Sequence, residues 1–217
     1  MATLDSVTED FGQSGQTSRT VSHTCTGSDL ILFVGVRYGE ANGTDCITGI
    51  TYDGDSMTKV NSVKNDNNYW TAMFMLVAPA TGANNVVVSY SPASLSDLVI
   101  VSYTGAEQTS QPDAEESYNT GNVTSYASLL TTVSDNCFVI CWNSGNVKPN
   151  AGTGSTAIST DDSAGGVMYA YSSNPKTPAG QVSMTQTSVS SGINTTNIVS
   201  FVSSDTISSF VPKITII

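Results

Sequence analysis

The chain has 217 residues, with 7 Lys and Arg against 18 Asp and Glu, a formal charge of −11 and only 12% charged residues, about half the typical share of roughly 25%. Seven scattered cations cannot displace the counterions of a nucleic acid, and an anionic membrane surface repels such a chain. No apolar run approaches the roughly 20 residues of a spanning helix. Ser (32) and Thr (28) dominate the composition, so the surface is mainly hydroxyl and amide.

The first residues, Met1-Ala2-Thr3-Leu4-Asp5, have neither a basic n-region nor an apolar h-region. This predicts no secretion signal and folding in a cytoplasm. Short β-branched and aromatic runs then recur between Gly, Asn, Asp and Pro clusters, which predicts strands. They cover 19–25, 30–37, 47–52, 57–60, 69–77, 85–90, 98–103, 128–133, 137–142, 166–171, 181–187 and 197–202. Asp53-Gly54 marks a tight hairpin. The runs 30–36 and 137–142 are continuously apolar rather than alternating, so both strands should be covered on both faces. The best helix candidate is 114–118, one turn at most. Residues 143–162, with Gly145, Pro149, Gly152 and Gly154, read as one long loop.

Few residues suggest chemistry. His23 is the sole imidazole. A general base needs a nucleophile and an orienting acid beside it, and no nucleophile-elbow pattern occurs, so His23 reads as a strand residue. Paired carboxylates stand at Asp53/Asp55, Glu115/Glu116 and Asp161/Asp162. Adjacent strand residues point to opposite faces, which is poor geometry for two acids across a cleft. Asp53 and Asp55 are explained by a turn, with Ca²⁺ as the lesser reading. No cofactor or metal is expected.

Cys25, Cys46, Cys137 and Cys141 read as reduced core thiols, with a Cys25–Cys46 bridge or a metal site as alternatives. On a strand, Cys137 and Cys141 are roughly 13 Å apart and cannot bridge each other. Tyr69, Trp70 and Trp142 lie within strand runs and read as core. Tyr118, Tyr126, Tyr169 and Tyr171 are left as a candidate contact patch. The three Asn-x-Ser/Thr matches, at Asn42, Asn122 and Asn194, are expected by chance in so Asn- and Thr-rich a chain.

The turns and core positions resemble a β-sandwich module of bacterial surface proteins and predicted phage virion proteins. The residues that carry the resemblance are 20–24, 30–36, 47–60, 69–70, 75–82, 85–90 and 101–112; it spans 18–204 and is best over 18–113. Arg37-Tyr38-Gly39-Glu40 and the cysteines depart from the commoner pattern. The resemblance implies an all-β, single jelly-roll-like antiparallel sandwich with no shared active site: a scaffold that binds, coats or assembles.

The expected organisation is an N-terminal arm at 1–17, the sandwich at 18–204, and an apolar arm or last strand at 205–217. Phe210, Val211, Ile214, Ile216 and Ile217 make the last segment apolar and β-prone, and such a segment aggregates unless covered. These five residues, with Leu4, Val7 and Phe11 of the N-terminal arm, are the candidate assembly interface. The expected function is a non-enzymatic phage virion protein, a capsid decoration or head-fibre subunit with a tail component next. Its partners would be itself, possibly as a trimer, and other virion proteins. The alternative is a carbohydrate-binding or adhesive surface module or extracellular filament subunit, placed outside the cell, with a glycan as partner.

Overall fold

The computed structural model describes residues 1–39, 44–145, 150–159 and 167–204. They are all-β, an antiparallel sandwich in class, as expected. The first sheet holds β1 (Thr3–Cys25), β2 (Ile31–Gly39), β3 (Ile47–Tyr52), β4 (Asp55–Ser56), β5 (Thr58–Lys64), β6 (Tyr69–Val77) and β7 (Gly82–Thr104). The second holds β8 (Ala114–Thr131), β9 (Cys137–Gly145), β10 (Asn150–Ala151), β11 (Thr156–Ala157), β12 (Val167–Ser172) and β13 (Gln181–Val202). The helical turn expected at 114–118 is instead the start of β8, where Ala114 pairs with Ser200; its backbone bonds go to a neighbouring strand.

Several expected strands are halves of longer ones. The runs 85–90 and 98–103 both belong to β7, and 181–187 and 197–202 both belong to β13. The long strands bend midway and serve two layers. β1 bends where Gly12 and Gly15 take φ of 76° and 67°, a conformation that costs glycine nothing. Its pairing with β7 is irregular between Leu4 and Ser18 and continuous from Ser18 to Cys25. The segment expected as an N-terminal arm is therefore the first half of β1, paired to β7 from Thr3 onward.

Bending lets one sheet close into a sandwich. Residues 3–10 pair with the second half of β7, which pairs with β2, which pairs with β6. Residues 18–25 pair with the first half of β7, which pairs with β3, which pairs with β4. With β4 and β5 taken as one bent segment, whose β5 end pairs with β6, the eight segments along the chain read 1-8-3-6 and 2-7-4-5 in these layers, the jelly-roll order. The second sheet repeats it except at the fifth segment, since β11 pairs with β12 and not with β10. The start of β8 pairs with the end of β13, then β9, then β12; the end of β8 pairs with the start of β13, then β10.

The jelly-roll order therefore occurs in residues 3–104 and, but for the pairing of its fifth segment, again in residues 114–202. The registers superpose residue by residue. Leu32 pairs with Ser102, Val34 with Ile100 and Arg37 with Asp97 in the first roll; Val139 pairs with Ser200, Cys141 with Ile198 and Ser144 with Thr195 in the second.

The rolls pack through their 1-8-3-6 layers. Leu30, Leu32, Val34, Val36 and Tyr38 face the interior of the first roll, with Ile50, Tyr52, Val86 and Ile100. Ile31 and Phe33, between them in sequence, face the second roll and meet Ile140, Trp142, Val199 and Phe201. This is why the run at 30–36 does not alternate: both faces of β2 are buried. Phe201 lies 5.6 Å from Phe33, 5.0 Å from Tyr103 and 5.6 Å from Phe138, ring centre to ring centre. The Trp142 indole donates to the Val99 carbonyl at 3.3 Å, beside Gly35, the cross-strand partner of Val99.

All four cysteines are buried and unbridged. Burial, then Asp113 nearby, pushes the Cys137 thiol up to about 12, so it is inert as a nucleophile. Thiol titration in denaturant should count four groups, with little reaction before unfolding. A count of two would mean a bridge.

Candidate functional site

The fold brings an aspartate and a serine to the sole histidine. His23, on the second half of β1, is 1% exposed and Ser102, on β7, is fully buried. Ser102 Oγ donates to Asp5 Oδ2 at 2.7 Å, and His23 Nε2 is 3.1 Å from the same Oγ. Thr8 Oγ1 is 2.8 Å from His23 Nδ1. The residue types are those of a hydrolase triad, but the order is not. There the imidazole sits between serine and acid and takes the serine proton. Here the serine sits in the middle and its one proton goes to Asp5. His23 must donate from Nε2 to Ser102 and accept from Thr8 at Nδ1. Burial holds its pKa down to about 4 against the opposing pull of Asp5, so at neutral pH the ring is uncharged and fully hydrogen-bonded.

The second roll shows what the acid and serine do without a histidine. Asp113 takes the place of Asp5 and Ser200 that of Ser102; Ser200 Oγ donates to Asp113 Oδ2 at 2.9 Å. The Val133 and Ser134 N–H groups donate to the same carboxylate at 2.9 and 2.8 Å. In the first roll the Thr26 N–H donates to Asp5 at 2.9 Å and the Thr26 hydroxyl donates as well. Each aspartate thus ties the loop after the roll's first long strand to its last strand. The position of His23 is held in the second roll by Leu130, a buried core residue. The Asp–Ser pair is a folding clamp used twice, and His23 fills a core position beside one copy.

Burial raises the Asp5 carboxyl, but hydrogen bonds from Thr26 and Ser102 and the nearby His23 outweigh this and hold it low. Burial likewise raises Asp113, and its bonds to Val133, Ser134 and Ser200 hold it low.

The remaining candidates are dispersed. Asp53 and Gly54 both take positive φ, at 51° and 89°, as an Asp-Gly hairpin between β3 and β4 requires. No group of three or more His, Cys, Asp or Glu able to hold a metal gathers among the described residues. Glu115 accepts from Asn61 Nδ2 at 2.9 Å, and the same nitrogen donates to the Glu116 carbonyl, tying β5 to β8 across the rolls. An open cleft of about 320 Å³ lies beside them, lined by Ala114, Glu115, Tyr118, Leu129 and Gln181 among others. Asp161 and Asp162 fall outside the described residues.

Of the three aromatics expected in the core, Tyr69 is instead half-buried, with the Arg37 guanidinium 4.3 Å over its ring. Trp142 is fully buried, and Trp70 is partly buried, stacked on Tyr38 with ring centres 6.4 Å apart. Of the candidate contact patch, Tyr169 is buried in the second roll and Tyr118 is half-buried, donating to the Leu129 carbonyl at 2.5 Å. Tyr126 is also half-buried. Tyr118 and Tyr126 are on β8 and Tyr169 on β12, and with Tyr169 buried these three do not form one exposed patch; the side chain of Tyr171 lies outside the description.

Sequence reasoning missed the two arginines as a site. Arg37 Nη1 is 2.7 Å from Asp97 Oδ2, its cross-strand partner, and both are buried. The Gly12 N–H donates to Asp97 Oδ1 at 2.8 Å. Arg19 pairs with Asp10 at 2.7 Å and donates to the Ser96 hydroxyl at 3.0 Å. Both pairs brace the bend of β1.

Of the candidate assembly residues, Val7 and Phe11 pack against the chain's own core and Leu4 is 49% exposed. Phe210, Val211, Ile214, Ile216 and Ile217 fall outside the described residues. The last described residue, Ser204, accepts from the Met1 amino group at 3.3 Å and donates from its N–H to Gly105 at 2.8 Å. No family model, curated protein or solved structure matches the chain.

Proposed function

We propose that this protein is a structural subunit of an assembly of identical copies, of the phage virion type, as a capsid decoration, head-fibre or tail component. The observation that carries this reading is where the apolar segment begins. The last described strand ends at Val202, and the strand at the corresponding place in the first roll ends at Thr104. The sequence after Ser204 carries Phe210, Val211, Ile214, Ile216 and Ile217, an apolar and β-prone run. Jelly rolls recur in capsid and lectin domains, so the fold permits the role without assigning it. The bond order at Asp5, Ser102 and His23, with the serine proton directed to the aspartate, supports a non-enzymatic reading.

Covering Phe210, Val211, Ile214, Ile216 and Ile217 at roughly 1.5–3 kcal/mol each supplies on the order of 10 kcal/mol gross. Ordering costs roughly 1–2 kcal/mol per residue, so the segment binds only if strand hydrogen bonds form as well. The full chain should run in light scattering as a closed oligomer, a trimer being the expected state. A chain ending at Ser204 should be a monomer with the same β spectrum. Unfolding of the shortened chain would make the segment part of its own roll and overturn the reading, as would a full chain that stays monomeric at high concentration.

A further inference from the structure

We infer that the second roll carries a lid: its outer layer, residues 125–131 of β8 with 181–187 of β13, opens on the bends of those two strands while its inner layer stays packed on the first roll. Register matches the two rolls position by position, so the first serves as the reference. There Val21 and Val88 of the outer layer and Val36 and Leu98 of the inner one share one buried apolar cluster. The same four positions in the second roll are Ser128, Gln186, Asn143 and Thr196, each 1% exposed or less. The apolar burial that holds two layers together is replaced there by a chain of hydrogen bonds. Thr196 Oγ1 donates to Asn143 Oδ1 at 2.6 Å, Asn143 Nδ2 to Cys141 Sγ at 3.8 Å, and Ser128 Oγ to Gln186 Oε1 at 3.3 Å. Within this set the link from outer to inner layer is Gln186 Nε2 to Cys141 Sγ at 3.7 Å, and a thiol sulfur is a weak acceptor.

The two layers are already parted at one edge. In the first roll Thr8 and His23 bond at 2.8 Å and Asp10 and Arg19 pair at 2.7 Å, tying the two halves of β1 together. Glu116 and Leu130 stand in place of Thr8 and His23, and Tyr118 and Tyr126 in place of Asp10 and Arg19. A carboxylate and a leucine make no bond, and here the open cleft of about 320 Å³ lies between the halves of β8, with Glu116 and Leu130 in its wall. The bond from the Tyr118 hydroxyl to the Leu129 carbonyl still crosses it. The bends supply the hinges. Gly121 takes φ of 65°, and the pairing of β8 with β13 breaks register between Thr187 and Gly192. The inner layer is held from its other side, where Ile140, Trp142, Val199 and Phe201 are buried against the first roll. Local opening selects the element with few buried apolar contacts, and in the second roll that is the outer layer.

Hydrogen exchange of the full chain at neutral pH tests this. The hydrogen-bonded amides of 125–131 and 181–187 should exchange at least about tenfold faster than those of 18–25 and 82–90. Those of 137–145 and 194–202 should stay as protected as those of 31–39. Equal protection of the two outer layers would overturn the lid. Exchange of both layers of the second roll together would overturn the hinged opening and make the whole roll the unit. Ser128→Val with Gln186→Val gives the second roll the residues of the first. It should slow exchange at 125–131 and 181–187 by at least about tenfold and leave 82–90 unchanged; no slowing would overturn the polar interior as the cause. The comparison between layers is made on the unmodified chain, so it decides whether or not the variant folds.

Discussion

Asp97→Asn should destabilise the protein by about 3–5 kcal/mol, the usual cost of leaving one member of a buried ion pair without its partner. Arg37 and Asp97 are 9% and 5% exposed, and the guanidinium also lies 4.3 Å over the Tyr69 ring. With the carboxylate gone, a desolvated cation faces only a neutral amide. The second roll supplies the control, because Ser144 and Thr195 occupy the same two register positions without charge. The double replacement Arg37→Ser with Asp97→Thr should cost less than the sum of the two single ones, by about 2 kcal/mol or more. Urea unfolding of the three variants decides this. Simple additivity would mean that the two side chains act independently, against the geometry.

Acid should weaken the fold well before the carboxylates titrate. The His23 pKa is held down to about 4 by burial, against about 6.5 in an unfolded chain. Its contribution is fully present above pH 6.5. As pH falls toward 4 the unfolded chain binds a proton that the folded chain refuses, and stability drops. The full drop is roughly 3 kcal/mol, at about 1.4 kcal/mol per pH unit. Below that range Asp5 and Asp113, both held low, lose their contribution as they protonate. His23→Gln keeps an amide donor and acceptor without a titrating group. It should flatten the dependence between pH 6.5 and 4 and leave the acid limb below it. Urea midpoints at pH 7, 5.5 and 4.5 would show this, and an unchanged slope in the variant would remove His23 as its source.

Much of the architecture is legible in the residues themselves. Val, Ile, Phe and Tyr runs between turn clusters marked β3 and β6 at the bounds the structure has, because β-branched and aromatic residues bounded by turn residues suit a pleated strand. The unbroken run from Leu30 to Val36 announced a strand covered on both faces. The segments that escaped are residues 3–18, 91–97, 114–127 and 188–196. They are rich in Ser, Thr, Asn and Gly, which carry little apolar periodicity. Those of β1 and β8 form strands because one side of each pairs with β7 or β13. That pairing is a long-range contact no local window contains.

What only the tertiary structure decided is the doubling of the roll and the fate of the polar groups. Ile100-Val101-Ser102-Tyr103 and Ile198-Val199-Ser200-Phe201 stand in the sequence as near copies, the one local trace of the repeat. Elsewhere the two halves diverged, Arg37 and Asp97 against Ser144 and Thr195, because a register position constrains packing and pairing rather than identity. Asp5, His23 and Ser102 are up to 97 positions apart, and their order of proton donation depends on which strand edges meet. Composition alone had already pointed to a hydroxyl-rich surface with few charges and a net negative balance. Whether its one histidine met an acid through a serine or directly was settled by the bend of β1, since that bend lays residues 3–10 and 18–25 against the two ends of the same strand.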